Sequence, residues 1–193
     1  EKLPWWWEPF HHVWFMIPAI LIIPAALAFL LGYANFRRRV SGVYFAIVTL
    51  SVSAIMAILI IGQQGLTGGI NGITDFKTFL GMDLDNDRAK LVMYFITAVL
   101  LVCIVAAGQF ILRSRLGRVL VAIRDGGDRV RFTGYDSAMF QAFVFAVAAM
   151  FAAIGGAMFT IQIGLASPAL VGIIPSIEMV IYAAVGGRLS LIG

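Results

Sequence analysis

The sequence predicts an all-α, polytopic transmembrane helix bundle, and three observations lead to that prediction. Of the 193 residues, 61% are hydrophobic and only 12% are charged, whereas a soluble globular domain is about half apolar and about a quarter charged. Four apolar runs reach the length of about 20 residues that crosses a bilayer as a helix. None of them shows the alternation that marks a strand of a membrane β-barrel.

About five membrane segments are expected, four long and one short. The short one, at about 174–187, contains Glu178 and is either a span or a half-helix. Pro18 and Pro24 are expected to bend the first long span, because proline removes a helical hydrogen bond. The four long spans are predicted at residues 13–34, 43–62, 91–111 and 138–161.

The charges between the spans predict their orientation. Segments 35–42 and 112–137 carry nine arginines, whereas 1–12 and 63–90 carry four basic and six acidic residues. Cytoplasmic loops of membrane proteins are enriched in Lys and Arg. We therefore expect 35–42 and 112–137 to be cytoplasmic and 1–12 and 63–90 to be extracytoplasmic. The formal net charge of +4 then reports orientation and membrane contact, and nucleic-acid binding is not expected.

The sequence lacks the motifs of several chemistries. There is no phosphate-binding loop of the form GxxxxGK[ST], no GxGxxG, and no HExxH or GxSxG. Cys103 stands alone in an apolar run, and the pair His11–His12 is too small a set for a metal site. We therefore expect no catalytic residue, no metal and no cofactor bound by this chain, and a role other than that of an enzyme.

Segment 112–137 is the most polar part of the chain, and it contains "AIRDGGDRVRFTGYD". Gly126 and Gly127 are expected to end a first short helix, and Asp128 to cap a second one that lasts until Gly134. Two such helices at a membrane surface either dock in a groove of a partner or lie as a solvated loop on the lipid. The first helix is predicted from apolar residues at helical spacing, namely Leu116, Val119, Leu120 and Ile123.

Several stretches resemble one family of transport proteins. The stretches "GRVLVAIRD", "VRFTGYD" and "FVFAVAAMFAAIGGAMF" resemble the cytoplasmic coupling region and the following span of the LivM-type permeases. These are membrane subunits of bacterial ATP-binding-cassette (ABC) importers for branched-chain amino acids and related solutes. "GVYFAIVTLS" and "LTGGINGIT" are similar to the same family's earlier span and outer loop. "RVRFTGY", "SIEMVIYAAVGGR" and "LPWWWEPFHHVWF" are most similar to its urea-transporter branch.

The resemblance implies a division of labour between subunits of a bacterial inner-membrane complex. A cytoplasmic ATPase would bind ATP and Mg²⁺, an extracytoplasmic binding protein would deliver the solute, and a second permease subunit would complete the pathway. Family members are longer at both ends, so residues 1–193 would be part of one permease domain, with 112–137 as its coupling segment. By this resemblance the residues that couple to the ATPase are Arg124, Asp125, Asp128, Arg129, Arg131 and Gly134.

Two features are candidates for contact with the solute. Loop 66–74 contains three glycines whose backbone can adopt conformations closed to other residues, so it is either a re-entrant turn or an ordinary outer turn. Glu178 is a carboxylate at membrane depth, and such residues commonly face a wet cavity. The expected solute is urea, with branched-chain amino acids and an ATPase-independent channel or carrier as the alternatives. The pathway residues predicted here are Thr67, Gly68, Gly69, Asn71, Gly72 and Glu178.

Overall fold

The chain is predominantly helical where the computed structural model describes it, which is at residues 13–40, 42–63, 69, 72–74, 78–79, 82–83, 87–132 and 134–186. Short strands of two residues each form two antiparallel pairs. The all-α prediction is confirmed. The helices within these ranges are α1 (Val13–Arg37), α2 (Val43–Gly62), α3 (Asp87–Arg113), α4 (Arg115–Phe132), α5 (Ser137–Ile163), a 3-10 helix (Pro168–Leu170) and α6 (Ile173–Val185). The strands are β1 (Ile73–Thr74), β2 (Thr78–Phe79), β3 (Met82–Asp83) and β4 (Leu165–Ala166).

Five helical segments in the described ranges are long and apolar enough to cross a membrane. The first four match the predicted spans, and α1, α3 and α5 extend one to four residues beyond an end of the apolar run. The fifth, Pro168–Val185, begins six residues before the predicted segment 174–187. Helix α1 continues through both Pro18 and Pro24. The fifth segment combines the 3-10 helix and α6, and α6 alone has 13 residues. At 1.5 Å per residue that helix is about 20 Å long, shorter than the roughly 30 Å hydrocarbon core of a bilayer.

Large apolar side chains cover the outside of these helices. Ile58 on α2, Leu30 on α1 and Phe110 on α3 are each about two-thirds exposed or more. In water such a surface would be unfavourable, but lipid tails are as apolar as these side chains. The exposed apolar surface therefore fits a helix bundle embedded in a bilayer.

The chain divides into two compact units. The first contains α1, the end of α3 from residue 106, α4, and α5 as far as residue 157. In this unit α1 and α5 pack at small residues: Ala142 is fully buried, and a β-carbon at Gly32 would lie 3.5 Å from the Ala142 α-carbon. The Phe36 and Phe145 rings meet edge to face with centroids 6.3 Å apart. Small residues let membrane helices approach closely.

The second unit contains α2, the start of α3, the end of α5, β4 and α6. Strand β1 pairs antiparallel with β4, so that Ile73 lies opposite Ala166 and Thr74 opposite Leu165. Two glycines with positive φ, Gly72 and Gly164, immediately precede the paired strands. The pairing ties the segment after α2 to the segment after α5.

Candidate functional site

A glycine shapes the corner where α3 meets α4 in the first unit. Ser114 separates the two helices, and its hydroxyl donates to the Ile111 carbonyl at 2.6 Å. Gly117 is buried, and a β-carbon there would overlap the Leu112 carbonyl group. Only glycine allows the chain to reverse this closely. The direction in which α4 leaves α3 therefore depends on Gly117.

Helix α4 is amphipathic in the register predicted from the sequence. Ile123 is buried, and the other predicted apolar positions, Leu116, Val119 and Leu120, are half-buried. The opposite face is exposed and basic, with Arg115, Arg118 and Arg124. The prediction of one apolar helical face is confirmed.

The predicted break at the paired glycines is also confirmed. Gly126 has non-helical backbone angles (φ −168°, ψ 65°) and divides α4 into two short helices. The second ends at Phe132, and the Gly134 amide then donates to the Arg131 carbonyl at 3.0 Å. Gly134 has a φ of +87°, a value that disfavours residues with a β-carbon. The segment is therefore two short helices followed by a tight turn.

The residues expected to couple to an ATPase lie along these two short helices. Arg124 donates through Nε to Oδ1 of Asp125 at 2.9 Å, and both side chains are about 60% exposed. Such an exposed pair contributes little to stability, so both groups are available to a partner. Arg129 is exposed and Arg131 is half-buried. The Asp128 side chain lies outside the described residues, and its capping role stays a prediction.

An aromatic residue that the sequence did not single out stands beside this charged surface. Phe132 ends the second short helix with its side chain 92% exposed. Tyr135 is also exposed, and its ring lies 5.9 Å from that of Phe140. Exposed aromatic side chains are frequent anchors at protein interfaces. In the sequence, Phe132 is an aromatic residue between an arginine and a predicted turn. That context does not distinguish an exposed aromatic residue from one in the core.

The glycine-rich loop predicted to meet solute is described in part. Gly69 and Gly72 have positive φ values of 63° and 70°, and the Gly72 amide donates to the Gly69 carbonyl at 3.2 Å. A β-carbon at Gly72 would overlap the Ala166 carbonyl oxygen. These two positions have the left-handed backbone that favours glycine. Thr67, Gly68 and Asn71 lie outside the described residues.

Polar groups meet where α2 contacts the start of α6. The Ser53 hydroxyl donates to the Val171 carbonyl at 2.5 Å, and its oxygen lies 3.2 Å from Ser176 Oγ. Ser176 Oγ in turn lies 2.9 Å from the Gly172 carbonyl oxygen. Glu178 is two positions further along α6 and exposed, so it lies on a different face of the helix from Ser176. The structure does not bring Glu178 into this serine cluster.

A second polar contact joins α3 to the end of α5 within the second unit. Gln162 Nε2 donates to Thr97 Oγ1 at 2.6 Å. A cavity of about 280 Å³ lies beside it and is lined by Lys90, Met93, Tyr94, Ile161 and Gln162. Gln162 was not among the predicted site residues, because a single glutamine near the end of an apolar run carries no motif.

The sequence matches a known family along nearly its whole length. The family described as "Branched-chain amino acid transport system / permease component" matches residues 3–193. The high-affinity branched-chain amino acid transport system permease proteins LivM of Salmonella typhimurium (strain LT2) and Escherichia coli (strain K12) are each 29% identical over 177 residues. The matches cover 80% of this chain and 41% of each relative. No solved structure matches the chain significantly. Because the family covers residues 3–193, the chain belongs to the permease component family of branched-chain amino acid transport systems.

Proposed function

We propose that this chain is part of the membrane permease of an ABC importer that carries branched-chain amino acids. The observation that carries the proposal is the family match over residues 3–193, together with two relatives whose names specify branched-chain amino acids. Urea, the solute first expected from the sequence, becomes the second candidate. It is favoured by "RVRFTGY" and "SIEMVIYAAVGGR", but neither relative's name mentions urea.

The second unit contains the features that suit a solute pathway. The backbone leaves the regular helix between residues 164 and 172, and irregular backbone at membrane depth occurs only where protein or a wet cavity satisfies its polar groups. The hydroxyls of Ser53 and Ser176 meet at the start of α6. Carbonyl and hydroxyl oxygens have two lone pairs each, so they can accept a further proton from an ammonium group. The neighbouring apolar side chains can accommodate a branched aliphatic chain.

The first unit contains the features that suit an ATPase partner. Segment 112–137 presents two short helices with exposed charges and the exposed ring of Phe132. The apolar face of the first short helix packs within the unit, so the exposed arginines and Phe132 are the groups that would contact a groove of another protein. In this proposal the segment binds a cytoplasmic ATPase that holds ATP and Mg²⁺, and a second permease subunit and an extracytoplasmic binding protein complete the importer. An ATPase-independent channel would need no such segment.

Uptake measurements distinguish the candidate solutes. Cells with and without the intact gene are given labelled leucine and labelled urea, each at micromolar concentration. We expect the deletion to abolish the high-affinity uptake of leucine and to leave that of urea unchanged. Loss of urea uptake alone would contradict the amino acid assignment and support the urea branch. Uptake that survives inactivation of the ATPase would contradict the ABC importer itself.

A further inference from the structure

A cavity of about 270 Å³ lies in the first unit at the arginine-rich end of α1. Phe36 and Val40 line it from the end of α1 and the turn that follows, and Ile123 lines it from α4. Its polar lining is formed by Arg39, Arg131, Ser137 and Gln141, and Gly127 completes the wall. Arg131 is also one of the residues expected to couple to an ATPase, but the part of segment 112–137 that lines the cavity is buried or half-buried. No residue of the serine cluster lines the cavity.

The polar lining favours an anion. Arg39 and Arg131 each carry a full positive charge, and neither makes an ion pair with another described residue. The described lining contains no carboxylate. Asp136 lies just outside it, where its Oδ1 accepts the Ala138 amide at 3.0 Å and caps α5. Among the described side chains, two arginines stand against one neighbouring carboxylate, which leaves a positive charge at the start of α5. The N-terminus of a helix also favours a negatively charged ligand.

A buried hydroxyl in the same lining lacks a partner. Ser137 is only 2% exposed, and its Oγ makes no hydrogen bond in the described structure. A buried polar atom is normally hydrogen-bonded, because leaving it unpaired is unfavourable. Gln141, one turn further along α5, adds amide donors to the same wall. A ligand with several acceptor oxygens would satisfy these groups together.

The backbone at Arg39 indicates that its side chain has a role. Helix α1 ends in a Schellman motif, in which the Val40 amide donates to the Asn35 carbonyl at 3.0 Å and the Arg39 amide to the Phe36 carbonyl at 3.1 Å. In this motif the first residue after the helix has a left-handed backbone, and here that residue is Arg39, with a φ of 60°. Glycine is the usual residue here, because a β-carbon is unfavourable in that conformation. Arg37 and Arg38 already supply the positive charge that a helix C-terminus favours.

The geometry points to this cavity as a binding site for the phosphate of an anionic phospholipid. The cavity is smaller than the roughly 300–1,000 Å³ of a pocket for a whole small molecule. Its apolar walls adjoin the ends of two membrane-spanning helices, where headgroups lie. Basic pockets between membrane helices bind anionic headgroups, and arginine donates to phosphate in a planar, two-pronged geometry. The inference does not depend on which solute is transported.

Native mass spectrometry of the full-length protein in mild detergent tests the site. Phosphatidylglycerol and phosphatidylcholine with equal acyl chains are offered separately, and the retained lipid is counted. We expect the wild type to retain phosphatidylglycerol preferentially. Arg39→Gly and Arg131→Gln should each weaken its binding about fivefold, and together about thirtyfold. Arg118→Gln is the matched control, because Arg118 is exposed on the same segment and does not line the cavity.

Two further variants separate binding from folding. Arg39→Gly should unfold at no lower temperature than the wild type, since glycine adopts the left-handed conformation freely. Ser137→Ala should weaken the retention of phosphatidylglycerol without unfolding the protein, because its hydroxyl has no partner to lose. Equal retention of both lipids by the wild type, or unchanged retention by the double arginine variant, would overturn the inference. Displacement of the lipid by millimolar inorganic phosphate would overturn the assignment to a lipid in favour of a soluble phosphate.

Discussion

Replacing Gly117 by alanine should damage the corner between α3 and α4 more than a comparable change elsewhere in α4. The new β-carbon would overlap the Leu112 carbonyl group and lie 2.8 Å from the Leu112 α-carbon. Separations under 3 Å are not tolerated, and the obstructing atoms are backbone, so the two helices must move apart. Overpacking of this kind costs about 1–3 kcal/mol. Since the corner sets the direction of α4, segment 112–137, which is proposed to bind an ATPase, should be displaced as well.

Gly127→Ala is the matched control for this change. Gly127 lies in the second short helix of α4, beyond the break at Gly126, and a β-carbon there would meet no heavy atom within 4 Å. Alanine favours the helix over glycine by up to about 1 kcal/mol, so the control should be neutral or slightly more stable. Thermal unfolding of the full-length protein in detergent measures the difference. Equal unfolding temperatures for the two variants would refute the claim that Gly117 is needed for a close reversal of the chain.

Three further predictions concern the proposed function. Ser53→Ala should lower the free energy of unfolding by about 0.6–1.7 kcal/mol. Ser51→Ala should lower it less, because the hydroxyl of Ser51 donates to the Ile47 carbonyl of its own helix; equal effects would contradict the interhelical role of Ser53. Arg124→Glu should weaken co-purification with the ATPase about tenfold by charge reversal, and the same yield as the wild type would exclude Arg124 from the interface. Glu178→Gln should reduce leucine uptake severalfold if the carboxylate meets the ammonium group, and unchanged uptake kinetics would show that it does not line the pathway.

The fold was predictable because long apolar runs have few structural alternatives. A run such as residues 43–62 forms a helix of the same bounds. A bilayer leaves the backbone only helices and closed β-barrels, and this run lacks the alternation of a barrel strand. The amphipathic first half of α4 and its break at Gly126 were predictable for a related reason. There the period of apolar residues and the paired glycines are local signals.

The candidate sites were less predictable because they depend on contacts between distant residues. Ser51 and Ser53 look equivalent in the sequence, but they lie two positions apart on a helix, so only Ser53 faces Val171. The sequence around Arg39 does not indicate that this residue has the left-handed backbone at the end of α1. Glycine is the residue that usually takes such a position, and the nearest one is Gly42. The charge-lined cavity follows from the packing of α1, α4 and α5, which no single motif contains.

The hydrogen bond from Ser53 to the Val171 carbonyl would restrict how the proposed importer moves. The Ser53 hydroxyl is the hydrogen-bond partner of the Val171 carbonyl, which lies between the 3-10 helix and α6. At membrane depth little water is present to replace that partner. If α2 slid away from the start of α6 during a transport cycle, that carbonyl would be stranded in hydrocarbon, at a penalty of several kcal/mol. Helix α2 and residues 171–176 should therefore travel as one rigid piece, and the hinges that open and close the pathway should lie elsewhere in the second unit.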